Sequence, residues 1–428
     1  MPIDTELQNL IDKCYQDYKE NLPYFQKMQQ YYQNNSDVVI EKSDIDTTST
    51  SKIKNNYLKR FIKEEADYIL ANPITYVNQD MSQNLEEIVK YQLAHWKKDH
   101  DKKLFRRALL YGKAYELYFI DKETQFSSRI ITPLEGYAYF EDDELILFLH
   151  IFSKTFDSSI YMDVYTDSII YHYKDGVLIN EDTHVFGQVP VGVCIVDDNE
   201  KDTLFEDIKT LQDAYETNLS DLSHEISQYR QAYLKVFNID LKDEDLPNMK
   251  KLGILKGKGK DAVIEWLTKN INDNFVMNTL REIKQNMYEL SSHINNNEQV
   301  PSNNSSLAMR TRQLALENKC KSNTNAMFNL IKDRLKFLFK YLFILKNVQY
   351  DYKLIEPKFT PSLPQDDLMM AQILSQIPEG LISKKTARAQ FSFIDNVTLE
   401  ENQVKQEQEE DLSNIGQKLL DSIGDGDD

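Results

Sequence analysis

Residues 273–345 read DNFVMNTLREIKQNMYELSSHINNNEQVPSNNSSLAMRTRQLALENKCKSNTNAMFNLIKDRLKFLFKYLFIL. Val276, Leu280, Ile283, Met287, Leu290 and Ile294 recur at alternating steps of four and three, the spacing of one apolar helix face. A polar run follows from His293 to Asn304. A second helical stretch then starts at Ser305 or Ser306, either of which suits an N-cap. Its apolar face carries Met327, Leu330, Ile331, Leu335, Leu338, Leu342 and Leu345. At about 40 residues it would span on the order of 60 Å. A helix, a polar loop and a very long helix make an unusual catalytic core. They suit helices packed in a ring with the loop held out into open space.

Upstream, Leu204, Ile208, Leu211, Tyr215, Leu219, Leu222, Ile226 and Tyr229 form a second near-heptad stripe. Thr203 and Glu206 at its start have capping-box spacing. Between the two striped helices lie strand-like Tyr233–Phe237 and Ala262–Leu267, joined through the basic segment Lys250–Lys260. This reads as a helix hairpin with a compact α/β tip. Burying the first stripe's apolar residues is worth at most roughly 15 kcal/mol at about 2 kcal/mol each. That rivals the stability of a whole domain, so the stripe must be covered. The partner helix covers one side, and a neighbouring subunit would cover the rest.

The remainder gives an α+β chain, predominantly helical. Residues 4–33 read as a helix capped by Asp4 or Thr5, and 36–51 as a loop. Residues 54–71 read as a helix ended by Asn72-Pro73, and 83–112 as one or two more. From Lys113 to Val196 the pattern changes. Runs at 115–120, 129–132, 144–151, 160–165 and 169–173 are rich in β-branched and aromatic residues, with Lys174-Asp-Gly176 as a turn, and predict an antiparallel sheet. Pro357, Pro361 and Pro364 break the chain, helices follow at 366–377 and 383–390, and the Glu/Gln-rich tail after Thr398 is expected to fray.

A length of 428 residues sets a prior of about three domains. The net charge is −19, and 11 acidic against 2 basic residues in 395–428 place −9 of it in the tail. Such a chain does not grip DNA through its phosphates, which needs Lys/Arg surfaces, although it can surround DNA loosely. Cys14, Cys194 and Cys320 lie far apart and read as three reduced thiols. Met1-Pro-Ile-Asp-Thr-Glu6 lacks the basic and apolar regions of a signal peptide. Leu335–Leu345 is too short for a bilayer and carries Lys336 and Lys340, so it reads as the buried end of the long helix.

No catalytic residue, cofactor or metal site emerges. Glu141-Asp-Asp-Glu144 could be imagined as a nuclease's metal-binding carboxylates, but without a companion motif it reads as a solvated turn. His95 and His100, five apart, do not match a helical zinc pair. Gly253–Lys260 lacks the spacing and the Ser/Thr of a phosphate loop. Lys256, Lys258 and Lys260 form either a solvated loop or a contact with a partner or nucleic acid. Asn295, Asn296, Asn297, Glu298, Gln299, Ser302, Asn303 and Asn304 carry mechanical content. Asparagine and serine make neutral contacts that allow sliding, where dense lysines would grip.

Several segments resemble the portal protein family of tailed double-stranded DNA phages, in its siphophage-type branch. They are Asn55–Lys63 with Leu70-Ala-Asn-Pro-Ile-Thr-Tyr76, His184–Pro190, Leu211-Gln-Asp-Ala-Tyr215 with Ser220-Asp-Leu222, Ile264–Lys269, Asn304–Met309 and Leu314–Lys319. Their order and spacing match over most of the chain. The resemblance implies a portal fold: 1–201 as the N-terminal wing (with 113–196 β-rich), 202–229 as stem helix 1, 230–269 as clip and 270–292 as stem helix 2. It further implies 293–304 as channel loop, 305–365 as long wing helix and connection, and 366–428 as crown helices and acidic tail.

The resemblance also implies a dodecameric ring at one capsid vertex, built in the host cytoplasm and carried in the virion. Double-stranded DNA would pass through it without sequence preference. The implied partners are terminase, a head–tail adaptor, and the scaffolding and major capsid proteins, with no membrane. Arg281 and Lys284, off the apolar stripe, would face the channel. Family members often carry glycines just before the long helix. Pro301–Ser306 has none, and asparagine, which tolerates left-handed backbone, stands in. The alternatives are a non-catalytic helical ring scaffold of another kind and a metal-dependent nuclease centred near Glu141.

Overall fold

The computed structural model describes residues 4–41, 52–79, 84–196, 202–229, 233–237, 263–267, 273–295, 306–361, 367–378, 380–388, 391, 397 and 400–409. The chain divides into two compact units, Met1–Thr360 and Pro361–Asp428.

In the first unit, α1 (Thr5–Tyr32) starts at Asp4, whose side chain accepts from the Glu6 amide at 3.3 Å. The expected loop after it begins instead as a short helix, α2 (Asp37–Glu41), and residues 42–51 lie outside the described residues. Helix α3 (Tyr57–Ile69) is capped by Asn56, which accepts from the Lys59 amide at 2.9 Å, and it ends before Pro73 as expected. Then come α4 (Leu85–Leu93) and α5 (His100–Tyr111). Gly112, at φ +79°, ends α5 in the left-handed conformation that glycine adopts without strain.

The β-rich segment forms two sheets. Strands β4 (Gly136–Glu141), β5 (Glu144–Ser153), β6 (Ile160–Tyr165), β7 (Ile169–Lys174) and β8 (Val177–Thr183) run as an antiparallel meander in chain order. Asp142 and Asp143 (φ +48° and +65°) and Asp175-Gly176 (φ +50° and +79°) close two of its hairpins with two-residue turns of the type that needs positive φ twice. Strands β2 (Lys113–Ile120), β3 (Phe126–Ile131) and β9 (Val191–Ile195) form a second sheet in the order β3-β2-β9. The meander buries one face against Ile11, Cys14 and Tyr18 of α1. Tyr115, Ile131, Phe148 and Val191 pack between the two sheets.

Helix α6 (Leu204–Tyr229) leads to a two-stranded tip, β10 (Tyr233–Phe237) paired antiparallel with β11 (Val263–Leu267), and α7 (Asp273–Leu290) returns. Helix α8 (Ser306–Lys346) then crosses the core, burying Leu330, Ile331, Leu335, Leu338 and Leu342. The expected buried end of this helix holds only to Leu342, because Phe343, Ile344 and Leu345 are exposed.

Strands β4, β8 and β9 were not read individually within the β-rich segment, and two strands outside it were not read at all. β1 (Thr75–Asn78) pairs antiparallel with β12 (Ile355–Lys358), and Pro357 sits opposite Tyr76. Each strand has only one neighbour, so proline's missing N–H can face the open side. In the second unit, α9 (Asp367–Gln376) and α10 (Lys384–Arg388) fall where expected. Residues 400–409 are helical rather than frayed.

One polar network pins α8 to the sheet. Glu116 on β2 and Arg334 on α8 are both fully buried. Arg334 Nε donates to Glu116 Oε2 at 2.9 Å, and its Nη2 donates to Glu116 Oε1 at 3.0 Å and Asp101 at 2.7 Å. Tyr118 (2.9 Å) and Ser128 (3.0 Å) also donate to Glu116, and His100 lies 2.6 Å from it. Burial alone would raise the Glu116 carboxyl, but Arg334 and His100 overcome it and hold it down at about 2. Arg334→Met should therefore cost about 3–5 kcal/mol, since it strands a buried carboxylate. Adding Glu116→Gln should restore part of that loss in urea denaturation followed by circular dichroism. A loss under 1 kcal/mol for the single variant would contradict the anchoring role.

Candidate functional site: the helix hairpin and the base of the polar loop

The α6/α7 hairpin packs one side inward and leaves several apolar side chains exposed. Leu204, Phe205 and Ile208 of α6 and Leu280, Met287 and Tyr288 of α7 are buried. Ile226 is 52% exposed, Met277 53% and Leu290 60%, and Leu314 at the start of α8 is 51% exposed. Of the predicted stripes, Leu204, Ile208, Leu280 and Met287 are buried, Leu211, Tyr215, Leu219, Leu222, Val276, Ile283 and Ile294 are half-buried, and Ile226 and Leu290 are exposed; Met277 lies off them.

The buried ridge of α6 also includes Gln212, Glu216 and Ser220. These side chains, four residues apart, accept from the main-chain amides of the segment leading into α3. Gln212 takes Leu58 N at 3.2 Å, Glu216 takes Asn55 N at 2.8 Å and Ser220 takes Ile53 N at 3.3 Å. Glu216 further accepts from the Ser36 hydroxyl. The expected capping box at the start of α6 does not form. Glu206 accepts from Tyr24 at 2.7 Å, and the Thr203 hydroxyl is buried without a partner.

At the base of the polar loop, His293 stacks on Phe61 with ring centroids 4.3 Å apart. Its Nδ1 lies 2.7 Å from Ser291 O and its Nε2 3.1 Å from Phe61 O. Burial, aided by the Lys319 charge, pushes this imidazole down to about 4. Glu65 of α3 is completely buried, with Asn323 of α8 donating to its Oε2 at 2.9 Å. Lys319 lies 3.7 Å from Glu65 Oε1 and 3.6 Å from Asp207 of α6. Glu65 Oε1 itself makes no hydrogen bond. Glu65, Lys319, Asp207 and Asn323 border a cavity of about 200 Å3 that is also lined by Thr203. Three helices, α3, α6 and α8, therefore meet at one polar joint beside the segment that follows α7. An acid among the apolar residues Leu58, Phe61, Ile62 and Ile69 of α3 was the available sequence signal.

The model of the family described as "Phage portal protein, SPP1 Gp6-like" matches residues 11–414. The chain belongs to that family. No curated protein sequence matches it. Among solved structures, a chain from the neck of an empty GTA particle computed with C6 symmetry is similar at 10% identity and a TM-score of 0.45, covering 85% of this chain and 91% of that one.

On this portal-family subunit, Arg281 is exposed on α7, with Nη1 3.4 Å from Asn278, and Lys284, one turn on, is half-buried. Asn295 is half-buried just past the joint. Asn296, Asn297, Glu298, Gln299, Ser302, Asn303 and Asn304 lie outside the described residues, as do Lys256, Lys258 and Lys260. Glu141–Glu144 is the β4–β5 turn, and no cluster of three or more metal-ligating side chains occurs among the described residues. No described helix is long and apolar enough to cross a membrane.

Burial raises the Glu65 carboxyl from 4.5 to about 7, against the pull of Lys319. Protonated Glu65 thus favours the folded state below pH 4.5, and this contribution is lost as pH rises through about 7. Glu65→Gln should melt above the natural protein at pH 8, and the gap should close toward pH 5 in scanning calorimetry. A gap independent of pH would show that Glu65 is not the titrating group.

Proposed function

We propose that the chain is the subunit of a non-enzymatic portal ring at one capsid vertex, assembled in the host cytoplasm and retained in the virion. The α6/α7 hairpin is its stem, 230–269 its clip, 293–304 its channel loop, and the C-terminal helices its crown. Double-stranded DNA passes through the centre during packaging and ejection. Terminase and later a head–tail adaptor dock on the ring, and scaffolding and capsid proteins surround it. Twelve copies is the number the resemblance implies. The observation that carries this reading is the uncovered apolar surface of the hairpin at Ile226, Met277 and Leu290, in a chain of the portal family. Exposed residues spaced along two long helices ask for a neighbour along their length rather than for a ligand at one point.

The hairpin's charge fits a conduit that does not hold its cargo. Helices α6 and α7 together carry 9 acidic and 3 basic residues. Phosphates would be repelled along most of the wall, with Arg281 and Lys284 as isolated attractive points. The neutral loop would add contacts that slide.

Two measurements test this. Native mass determination with electron-microscope class averages should show rings with a central hole, and Ile226→Asp with Met277→Asp should shift them to monomers with the fold intact. A stable dimer without a hole would end the conduit reading. Charge reversal at Arg281 and Lys284 together should reduce packaged DNA per particle. Unchanged packaging and retention would remove both residues from the channel.

A further inference from the structure

One end of the meander, the open edge of β9 and one side of α8 enclose a groove of about 1060 Å3. Its floor is apolar, with Val193 and Ile195 from β9, Phe337 from α8 and Tyr171 from β7. Its rim is acidic, formed by Asp142, Asp143 and Glu144 of the β4–β5 turn and by Asp167. The cation among its lining residues is Lys336.

Two features suggest that the groove is built to be filled. The first is β9, which among the described residues pairs with β2 alone. Tyr118 N donates to Pro190 O at 2.8 Å and Val196 N to Gly112 O at 2.9 Å, so even-numbered positions turn their main-chain groups toward β2. Val193 and Ile195 therefore turn their N–H and C=O toward the open edge, the same residues that line the groove. The second is Asp333 on α8, which lines the groove and makes no hydrogen bond or ion pair among the described residues. Burial raises its carboxyl to about 6, and Lys336 offsets this only in part. An apolar floor, an acidic rim, an unpaired carboxylate in the wall and an open strand edge call for one kind of occupant.

We propose that the groove docks an extended segment of a partner protein, which adds a strand to β9 and sets a lysine or arginine against Asp333 between aliphatic side chains. Nucleic acid is excluded by the acidic rim. A second copy of this chain, at net −19, matches that rim less well than a basic partner does. The assignment goes beyond the portal reading and does not depend on the ring.

The test uses the full chain and a labelled synthetic peptide alternating threonine and valine around one arginine, followed by fluorescence anisotropy. A second peptide carries glutamate in the arginine's place. Saturable binding is expected, with the arginine peptide roughly tenfold or more tighter, the difference one charged hydrogen bond makes. Asp333→Asn should bring the two peptides together. It should also leave the melting temperature equal or higher, because it removes an unpaired carboxylate; a merely structural Asp333 would give the opposite. Val193→Pro should abolish binding while the pairing with β2 survives, since it deletes only an outward N–H. Equal affinity for the two peptides, no saturation by the natural protein, or indifference to both variants would overturn the proposal. Binding by single subunits that disappears in assembled particles would give the groove to a neighbouring copy and overturn the assignment to a separate partner.

Discussion

The position of α8 depends on one buried ion pair. Taking a guanidinium and a carboxylate out of water costs several kcal/mol each, and mutual attraction repays it only when the remaining lone pairs and protons are satisfied. Glu116 meets that condition through Arg334, Tyr118, Ser128 and His100. The pair therefore acts as a locator as much as a source of stability. Leucines and phenylalanines along a helix of 41 residues tolerate sliding by a turn. A bidentate fork onto one carboxylate does not. With α8 fixed, Gly192 and Cys194 of β9 meet its face, and Asp333 beside Arg334 falls at the wall of the groove.

The same logic recurs at lower strength between α6 and the segment before α3. Gln212, Glu216 and Ser220 occupy the ridge where apolar residues would pack, and they accept main-chain N–H groups that have no helix or strand to satisfy them. An irregular segment can lie against a helix only if its amides find acceptors. The polar ridge lets 52–58 run along α6 without a sheet.

Periodicity made the helices and most strands legible, because each buries one face and the period of that face is visible. Turn chemistry made the Asp175-Gly176 hairpin legible. β1 and β12 were not, since each is four residues long and one contains proline; their pairing is a tertiary fact joining positions nearly 300 residues apart. The capping box failed for a similar reason. Glu206 had the right spacing, but Tyr24 from a distant helix competed for it. Polar residues at apolar positions were the hardest to read. Glu65 and Gln212 look like surface residues until their partners, Asn323 and the Leu58 amide, are brought to them by the fold. Arg281 is exposed and Lys284 half-buried.

The hairpin therefore has two ends with different physics. At its base, ion pairs stretched to 3.6–3.7 Å border a cavity, and Glu65 and Thr203 each keep a polar atom without a hydrogen bond. Such a joint is polar enough to hold water and loosely enough paired to change its contacts at small cost. Along the hairpin, the exposed side chains of Ile226, Met277 and Leu290 would be stabilised by anything that covers them. A rigid, fully satisfied base would force each hairpin to one angle, and small errors would accumulate around any closed assembly. In the ring proposed above, a loosely paired base would let the apolar surfaces of neighbouring hairpins set the final angle by their own packing. In the ring proposed above, the incomplete pairing of Glu65 and Lys319 would serve closure rather than mark a defect of the chain.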